Sequence, residues 1–169
     1  MMDLKFIGLT TPESLQTVRD IAASIWPETF REILSPEQIR YMMQMMYTPE
    51  VMEKELADGF TFDAVCVDDV PVGYMVYSAY NCDMAKLHKL YLLSRYHSQG
   101  IGSAMLRHVE QETFRRGFKY LILNVNKNNA KAIKAYKRNG FTITEAVKID
   151  IGNGFFMDDF VMKKELPQL

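Results

Sequence analysis

The order of apolar and polar positions at the start of the chain predicts a strand followed by a helix. Residues 4–9 have the short apolar pattern of a strand, and residues 11–13 (Thr-Pro-Glu) supply the hydroxyl cap, proline and acid that favour a helix start. We expect this helix to end near Ile25, because Pro27 disfavours the helical conformation of the residue before it. Glu28 is therefore expected in a loop between the first helices.

A second helix is predicted to begin at residues 35–37 (Ser-Pro-Glu). Its apolar residues keep helical spacing, which favours a core-facing stripe, although flexible methionines also suit a ligand pocket. The stripe of the second helix consists of Ile39, Met42, Met43 and Met46.

Farther along, residues 60–80 form two apolar runs around Asp68 and Asp69, which predicts an antiparallel hairpin.

The rest of the chain alternates between strands and helices and ends in another hairpin. The turn of this hairpin is predicted at residues 152–154 (Gly-Asn-Gly). The order of elements predicts a mixed α/β fold with antiparallel hairpins at both ends of the sheet and helical crossovers between them. The predicted strands are residues 85–92, 120–125, 141–149 and 155–162, and the predicted helices are residues 101–116 and 129–138.

Composition restricts the class of protein. The chain has 169 residues, 48% of them apolar and 24% charged, so we expect residues 1–169 to form one globular domain. Its 20 basic and 21 acidic side chains give a net charge of -1, which offers no basic field for nucleic acid. The sequence contains no apolar run long enough to cross a membrane, no signal-peptide pattern and no C-x-x-C pair. We expect a cytoplasmic protein without a nucleic-acid or membrane partner.

A glycine turn, which we define as residues 97–102, follows the strand of residues 87–92 and opens a helix. Glycine lets the backbone approach an anion, and the helix start adds a partial positive charge, so the arrangement suits a phosphate. The sequence has neither the P-loop pattern G-x-x-x-x-G-K-S/T nor the third glycine of G-x-G-x-x-G. Taken alone, the turn is as compatible with a plain structural role as with anion binding.

A second pattern lies downstream, from Leu123 to Phe141. With the glycine turn it makes residues 86–141 resemble the GNAT superfamily of N-acetyltransferases. The turn of that superfamily reads Q/R-x-x-G-x-G/A, and its next strand and helix read L-x-V-x-x-x-N-x-x-A-x-x-x-Y-x-x-x-G-F. Every lettered position of the second pattern is present, whereas His97 replaces the leading glutamine or arginine of the first. Residues 150–162 and 26–30 are also similar to the PaiA-like branch of polyamine acetyltransferases.

The resemblance implies a mostly antiparallel twisted sheet whose central parallel strand pair splays apart to admit acetyl-CoA. Backbone amides of the glycine turn would hold the pyrophosphate, and strand and helix residues would hold the pantetheine arm. Arg138 would meet the 3′-phosphate with Lys131 and Lys134, although such a basic stripe is more often a solvated face. The residues implied for acetyl-CoA are Leu90, Tyr91, Leu92, His97, Ser98, Gln99, Gly100, Ile101, Gly102, Ser103, Asn129, Ala132, Tyr136 and Arg138.

Three side chains are candidates for catalysis. An alkyl ammonium must lose a proton before its nitrogen attacks a thioester, and His88, beside the implied thioester position, is the first candidate base. Glu28 is a second candidate base or a docking group for a cation. Tyr136 is implied as the acid that protonates the departing CoA thiolate. The plainer interpretation of His88 is a partly exposed strand histidine. That of Glu28 is a solvated loop acid, and that of Tyr136 is a core tyrosine.

We therefore expect direct transfer of an acetyl group from acetyl-CoA, as co-substrate, to a primary amine. The narrower resemblance and the acids Glu28, Asp158 and Asp159 favour a small cationic amine such as a polyamine. A protein or peptide acceptor and a non-catalytic acyl-CoA-binding domain stay open as alternatives, and the resemblance also suggests a homodimer. No metal is expected, because the three histidines lack the helical pairing or cysteine companions of a zinc site.

Overall fold

The computed structural model describes residues 2–166, which form seven strands and five helices. The strands are β1 (Leu4–Gly8), β2 (Thr61–Val67), β3 (Val70–Ala79), β4 (Met84–Leu92), β5 (Tyr120–Asn126), β6 (Thr142–Gly152) and β7 (Phe155–Glu165). The helices are α1 (Gln16–Phe30), α2 (Pro36–Met46), α3 (Pro49–Ala57), α4 (Ile101–Arg115) and α5 (Ala130–Arg138).

The strands follow the order β1-β2-β3-β4-β5-β7-β6. The pairs β1–β2, β2–β3, β5–β7 and β6–β7 are antiparallel, whereas β4 and β5 run parallel. The predicted mixed α/β fold, mostly antiparallel with one parallel strand pair, is confirmed. The splaying of that pair stays a prediction.

The chain divides into two compact units. The first unit holds the residues up to Ser78 together with Lys89–Met105, and the second holds Ala79–His88 together with the residues from Leu106 onward. Strand β4 thus begins in the second unit and ends in the first. That residues 1–169 form a single domain stays a prediction.

The first unit contains the predicted hairpin of β2 and β3. Asp68 and Asp69 have φ angles of 50° and 66°, which are the left-handed values of a two-residue hairpin turn. Both strands are buried along most of their length, including Asp63 in the middle of β2. A Cβ at Gly73 of β3 would lie 2.5 Å from the carbonyl oxygen of Tyr91 on β4, so only glycine fits this close approach.

Helix α1 does not end near Ile25 as expected, because it continues through Pro27 to Phe30. Proline removes one backbone donor from the helix, but Ile25, Trp26 and Phe30 are all buried. Burial of these large apolar side chains offsets the local cost of the proline. Glu28 therefore lies in the last turn of α1 rather than in a loop, and its side chain is exposed.

Helices α2 and α3 begin with the same local signal. Ser35 and Thr48 each accept a hydrogen bond from a backbone N–H in the first turn, and a Pro-Glu pair follows each cap. The start of α2 is confirmed, whereas α3 was not predicted, although residues 48–50 repeat the pattern of residues 35–37. The buried members of the predicted α2 stripe are Ile39 and Met42.

The second unit is built on β4, β5, β7 and β6. Strands β4 and β5 pair from Met84 opposite Tyr120 to Leu87 opposite Leu123. The hairpin of β6 and β7 turns at residues 152–154, as predicted, and all three have positive φ. The buried core of this unit includes Leu106, Val109, Leu121, Leu123, Phe141 and Met162.

Candidate functional site

In the first unit, the glycine turn leaves the start of α4 open. The first helical hydrogen bond at this end runs from the Ala104 N–H to the Gly100 carbonyl, so the amides of residues 100–102 precede the bonded part of the helix. Gly100 has a φ of 82°, a value that glycine adopts readily. A Cβ at Gly100 or Gly102 would meet nothing within 4 Å. Open space next to several amides fits an anion such as a pyrophosphate.

His97 ties the glycine turn to the end of β4. Its Nε2 lies 2.8 Å from the carbonyl oxygen of Leu92, and since a carbonyl only accepts, this ring nitrogen donates. Gln99 donates from its side-chain amide to the carbonyl of Arg95 at 3.2 Å. The histidine that replaces the glutamine or arginine of the motif therefore holds the turn against the strand.

An aromatic cluster in the first unit packs against Tyr91 of β4. The ring centroids of Trp26, Phe30 and Tyr74 lie 5.7, 6.3 and 5.6 Å from that of Tyr91. The Tyr47 hydroxyl accepts from Trp26 Nε1 at 2.9 Å and lies 2.5 Å from the Tyr74 hydroxyl. This packing fixes the strand segment whose backbone is implied for pantetheine.

A buried charged pair lies beside the aromatic cluster. Lys89 of β4 is only 7% exposed, and its Nζ lies 4.0 Å from Glu55 Oε1 and 4.4 Å from the centroid of the Tyr47 ring. Burial lowers the pKa of Lys89 and raises the pKa of Glu55, and each charge opposes the shift of the other. The pair was not predicted, although Lys89 stands two residues after the buried Leu87 and thus on its inward face.

In the second unit, Asn129 caps helix α5. Its Oδ1 accepts from the Ala132 N–H at 3.3 Å, so the side-chain NH₂ is the part that can donate to a ligand carbonyl. The position of Asn129 at the helix start is as predicted, and its bond to pantetheine stays a prediction. Arg138, the last residue of α5, is exposed, and so are Lys131 and Lys134 earlier in the helix.

Tyr136 of α5 has the properties of a proton donor. Its ring packs against Phe141 with centroids 5.8 Å apart and planes at 66°. Burial raises the pKa of the Tyr136 phenol to about 12. The hydroxyl therefore keeps its proton at neutral pH, and because an ordinary thiol has a pKa of about 8.5, it can protonate a departing thiolate only where burial raises the pKa of that thiol as well.

Several polar side chains lie on one face of the sheet in the second unit. Residues opposite one another on neighbouring strands point to the same side, and so do residues two apart on one strand. The register places Lys86 opposite Ile122, Asn124 opposite Val161, and Asn126 opposite Asp159. The polar face, as we name it, consists of Lys86, His88, Asn124, Asn126 and Asp159.

Asp159 is the most buried residue of the polar face, with 7% exposure. Burial raises the pKa of its carboxyl, and so does the charge of Asp158, whereas a hydrogen bond from Asn124 and the charges of Lys86 and Lys127 lower it. Lys127 is bound instead to Asp158, with Nζ 2.9 Å from Oδ1. Burial in turn lowers the pKa of Lys86.

The predicted site residues are distributed over both units. The structure brings Leu92 and His97 together in the first unit, and Asn129 and Ala132 in the second. His88 is half-buried on β4. The first unit holds Glu28, Leu90, Tyr91, Leu92 and the glycine turn, and the second holds His88, Asn129, Ala132, Tyr136 and Arg138.

Residues 2–166 contain neither a metal-binding cluster nor a membrane-spanning helix. Within this range no group of three His, Cys, Asp or Glu side chains is placed to hold a metal ion. None of the helices in the same range combines the length and apolar character needed to span a membrane.

The chain matches a known family along most of its length. The model of the acetyltransferase (GNAT) family matches residues 15–141. A spermidine N(1)-acetyltransferase from Thermoplasma acidophilum is 25% identical over 158 residues, which cover 90% of this chain and 92% of the relative.

Solved structures have the same fold. The PaiA N-acetyltransferase from Thermoplasma acidophilum, in complex with coenzyme A, superposes with a TM-score of 0.81 at 24% identity, covering 97% of this chain and 99% of that one. A GNAT family acetyltransferase from Elizabethkingia anophelis with acetyl-CoA bound gives a TM-score of 0.66 at 15% identity, covering 96% and 98%.

Proposed function

The chain belongs to the GNAT family of acetyl-CoA-dependent N-acetyltransferases, and from this premise we propose that its acceptor is a small cationic amine such as a polyamine. The similarity to a spermidine N(1)-acetyltransferase over 90% of the chain is the observation that carries the proposal. Acetyl-CoA supplies an acyl group activated as a thioester, and the side chains of the protein bind, orient and move protons.

Binding of acetyl-CoA is assigned to main-chain groups first. The amides of residues 100–102 precede the first helical hydrogen bond of α4 and are proposed to hold the pyrophosphate. The backbone of Leu90, Tyr91 and Leu92 is proposed to bond the pantetheine arm as an added strand would. The NH₂ group of Asn129 is proposed to donate to a pantetheine carbonyl.

Proton transfer is assigned to two side chains of the second unit. His88 is proposed to take the proton from the attacking ammonium, directly or through water. Tyr136 is proposed to give a proton to the departing thiolate, whose basicity would be raised by burial in the same site, as the pKa of the phenol is. Glu28 is exposed at the end of α1, which suits a docking group for a cation better than a desolvated base.

The location and assembly of the enzyme are also proposals. Cys66 and Cys82 are both free thiols, which is compatible with a reducing cytoplasm. A homodimer stays a prediction, which sedimentation of the purified chain would test.

A thiol-release assay tests the proposed acceptor. Acetyl-CoA is offered with spermidine, spermine, amino acids, aminoglycosides and peptides in turn, and we expect the highest kcat/KM with the polyamines. Turnover of peptides alone would assign the chain to the protein acetyltransferases. Binding of CoA by calorimetry without turnover of any amine would refute the proposed acceptor class.

A further inference from the structure

Within residues 2–166, the buried carboxylate of Asp159 has no ion-pair partner. It lies on β7 with 7% exposure and receives a hydrogen bond from Asn124 of β5. Among residues 2–166 neither Lys86 nor Lys127 comes within ion-pair distance of it, and Lys127 is held by Asp158. A buried carboxylate with one amide donor is costly unless a cation joins it or it takes up a proton.

The register places Asp159 on the same face of the sheet as His88. Asp159 lies opposite Asn126 of β5, and Lys86 of β4 lies opposite Ile122 of the same strand. His88 is two residues beyond Lys86, so it points to the polar face as well. The hydrogen bond between Asn124 and Asp159 joins diagonal neighbours, in agreement with the register that places their side chains on this face.

The spacing between these two side chains suits a long diamine. Strands β4 and β7 are separated by β5, so their backbones lie two strand spacings, about 10 Å, apart where β4 is paired, up to Leu87, and Asp159 lies farther along the sheet, opposite Asn126. An amine that reacts beside His88 would need a chain of several methylene groups to place a second amino group at Asp159. A monoamine of ordinary length would not reach the carboxylate.

Apolar side chains flank Asp159 on the same face. Val147 of β6 lies directly opposite it, and Val161 and Met157 stand two residues away on either side along β7. All three are half-buried. Such neighbours can cover methylene groups and lower the local dielectric, which strengthens the attraction between the carboxylate and an ammonium.

We propose that Asp159, oriented by Asn124, binds the second ammonium group of a diamine or polyamine acceptor and so determines specificity for long, doubly charged amines. The inference rests on the proposed function and goes further, since it assigns the recognition of the distal charge to one carboxylate. Asp159 takes no part in proton transfer to or from the reacting atoms.

The test compares Asp159→Asn with the matched control Asp158→Asn. Both variants remove one carboxylate from adjacent residues of β7, but Asp158 is half-exposed and bound to Lys127. KM is measured for spermidine, for a monoamine such as butylamine and for acetyl-CoA. In Asp159→Asn we expect a rise of about 10- to 100-fold in the KM for spermidine, with little change in the other two values. The control frees Lys127 near Asp159, so it should change the KM for spermidine much less than Asp159→Asn does and should keep the values for butylamine and acetyl-CoA.

Equal changes for spermidine and butylamine, or no change for either, would overturn the proposal. Because Asp159→Asn could destabilise the sheet, the wild-type enzyme provides a second test. It should bind spermidine in calorimetry without acetyl-CoA and should prefer spermidine to butylamine, and the absence of both properties would also overturn the proposal. If the enzyme turns over amines but does not prefer spermidine to butylamine, only the role proposed for Asp159 is refuted. If it turns over no amine, the proposed function is refuted.

Discussion

The Nε2 atom of His97 lies 2.8 Å from the carbonyl oxygen of Leu92, which joins the first residue of the glycine turn to the last residue of β4. The turn carries the amides proposed for the pyrophosphate, and the strand carries the backbone proposed for the pantetheine arm. One side chain therefore fixes the spacing between two parts of the same unit.

Removal of this hydrogen bond should weaken acetyl-CoA binding. Because a typical hydrogen bond is worth about 1 kcal/mol, His97→Ala should raise the KM for acetyl-CoA about fivefold and leave the KM for the amine unchanged. His97→Gln is the matched variant, since its side-chain amide can donate to the same carbonyl. Steady-state kinetics with acetyl-CoA varied would check this, and an unchanged KM in His97→Ala would show that the contact does not position the turn.

Tyr136→Phe should lower kcat while leaving the affinity for acetyl-CoA nearly intact. The substitution keeps the ring that packs on Phe141 and removes only the proton donor. General acid catalysis typically contributes 10² or more, so a decrease in kcat of roughly 10²-fold is expected. Because the pKa of Tyr136 is raised to about 12, its deprotonation should not limit the wild-type rate until well above neutral pH.

The control for Tyr136→Phe is Tyr80→Phe, which removes the hydroxyl of an exposed tyrosine. Rapid-mixing kinetics would separate the chemical step from product release. A wild-type kcat in Tyr136→Phe would remove its assignment as the acid.

His88→Ala should change the pH dependence of kcat/KM. A general base must be unprotonated to accept the proton of the ammonium, so the variant should lose one ionisation from the acidic limb of the profile. His108→Ala, on helix α4, is the matched control and should keep the wild-type profile. An acidic limb in His88→Ala that matches the wild type would assign the base elsewhere, for example to Glu28.

Lys89→Met should destabilise the fold more than the double variant Lys89→Met/Glu55→Gln. The single change leaves the Glu55 carboxylate without the cation 4.0 Å away, whereas the double change also removes the charge. Since Glu55 keeps some solvent contact, we expect a loss of about 1 to 3 kcal/mol in the free energy of unfolding of the single variant at neutral pH. Urea denaturation monitored by circular dichroism measures the free energy of unfolding of the single and of the double variant.

The pair also makes stability depend on pH, with opposite signs for its two members. Glu55 has a raised pKa in the folded state, so its contribution is present below its ordinary value of 4.5 and is lost as pH rises through the raised value. Lys89 has a lowered pKa, so the unfolded chain binds its proton more readily, and stability rises with pH between the lowered value and 10.5. The stability of the double variant should lack both of these pH dependences. Identical profiles of stability against pH in the double variant and the wild type would contradict this account.

Local signals in the sequence were enough for much of the fold and for part of the site. The two aspartates of the first hairpin, the glycine turn and the cap at Asn129 act over a few residues, and the structure places each of them as predicted. Helix α1 extends through Pro27 because Trp26 and Phe30 are buried, and this burial depends on residues distant in sequence.

The contacts that could not be predicted join residues far apart in the chain. Lys89 meets Glu55, and Asn124 donates to Asp159, only because the order of strands and helices brings them together. The sequence showed a charge on the inward face of β4 and an acid in an apolar strand. It contained no signal that named their partners.

The most direct measurement of the central claim is product analysis by mass spectrometry after incubation of the protein with acetyl-CoA and spermidine. The account predicts monoacetylated spermidine in the same amount as the free CoA thiol released. It also predicts that the yield per unit time falls in Tyr136→Phe and in Asp159→Asn. Release of CoA without acetylated spermidine, or acetylation of peptides while spermidine stays unmodified, would contradict it.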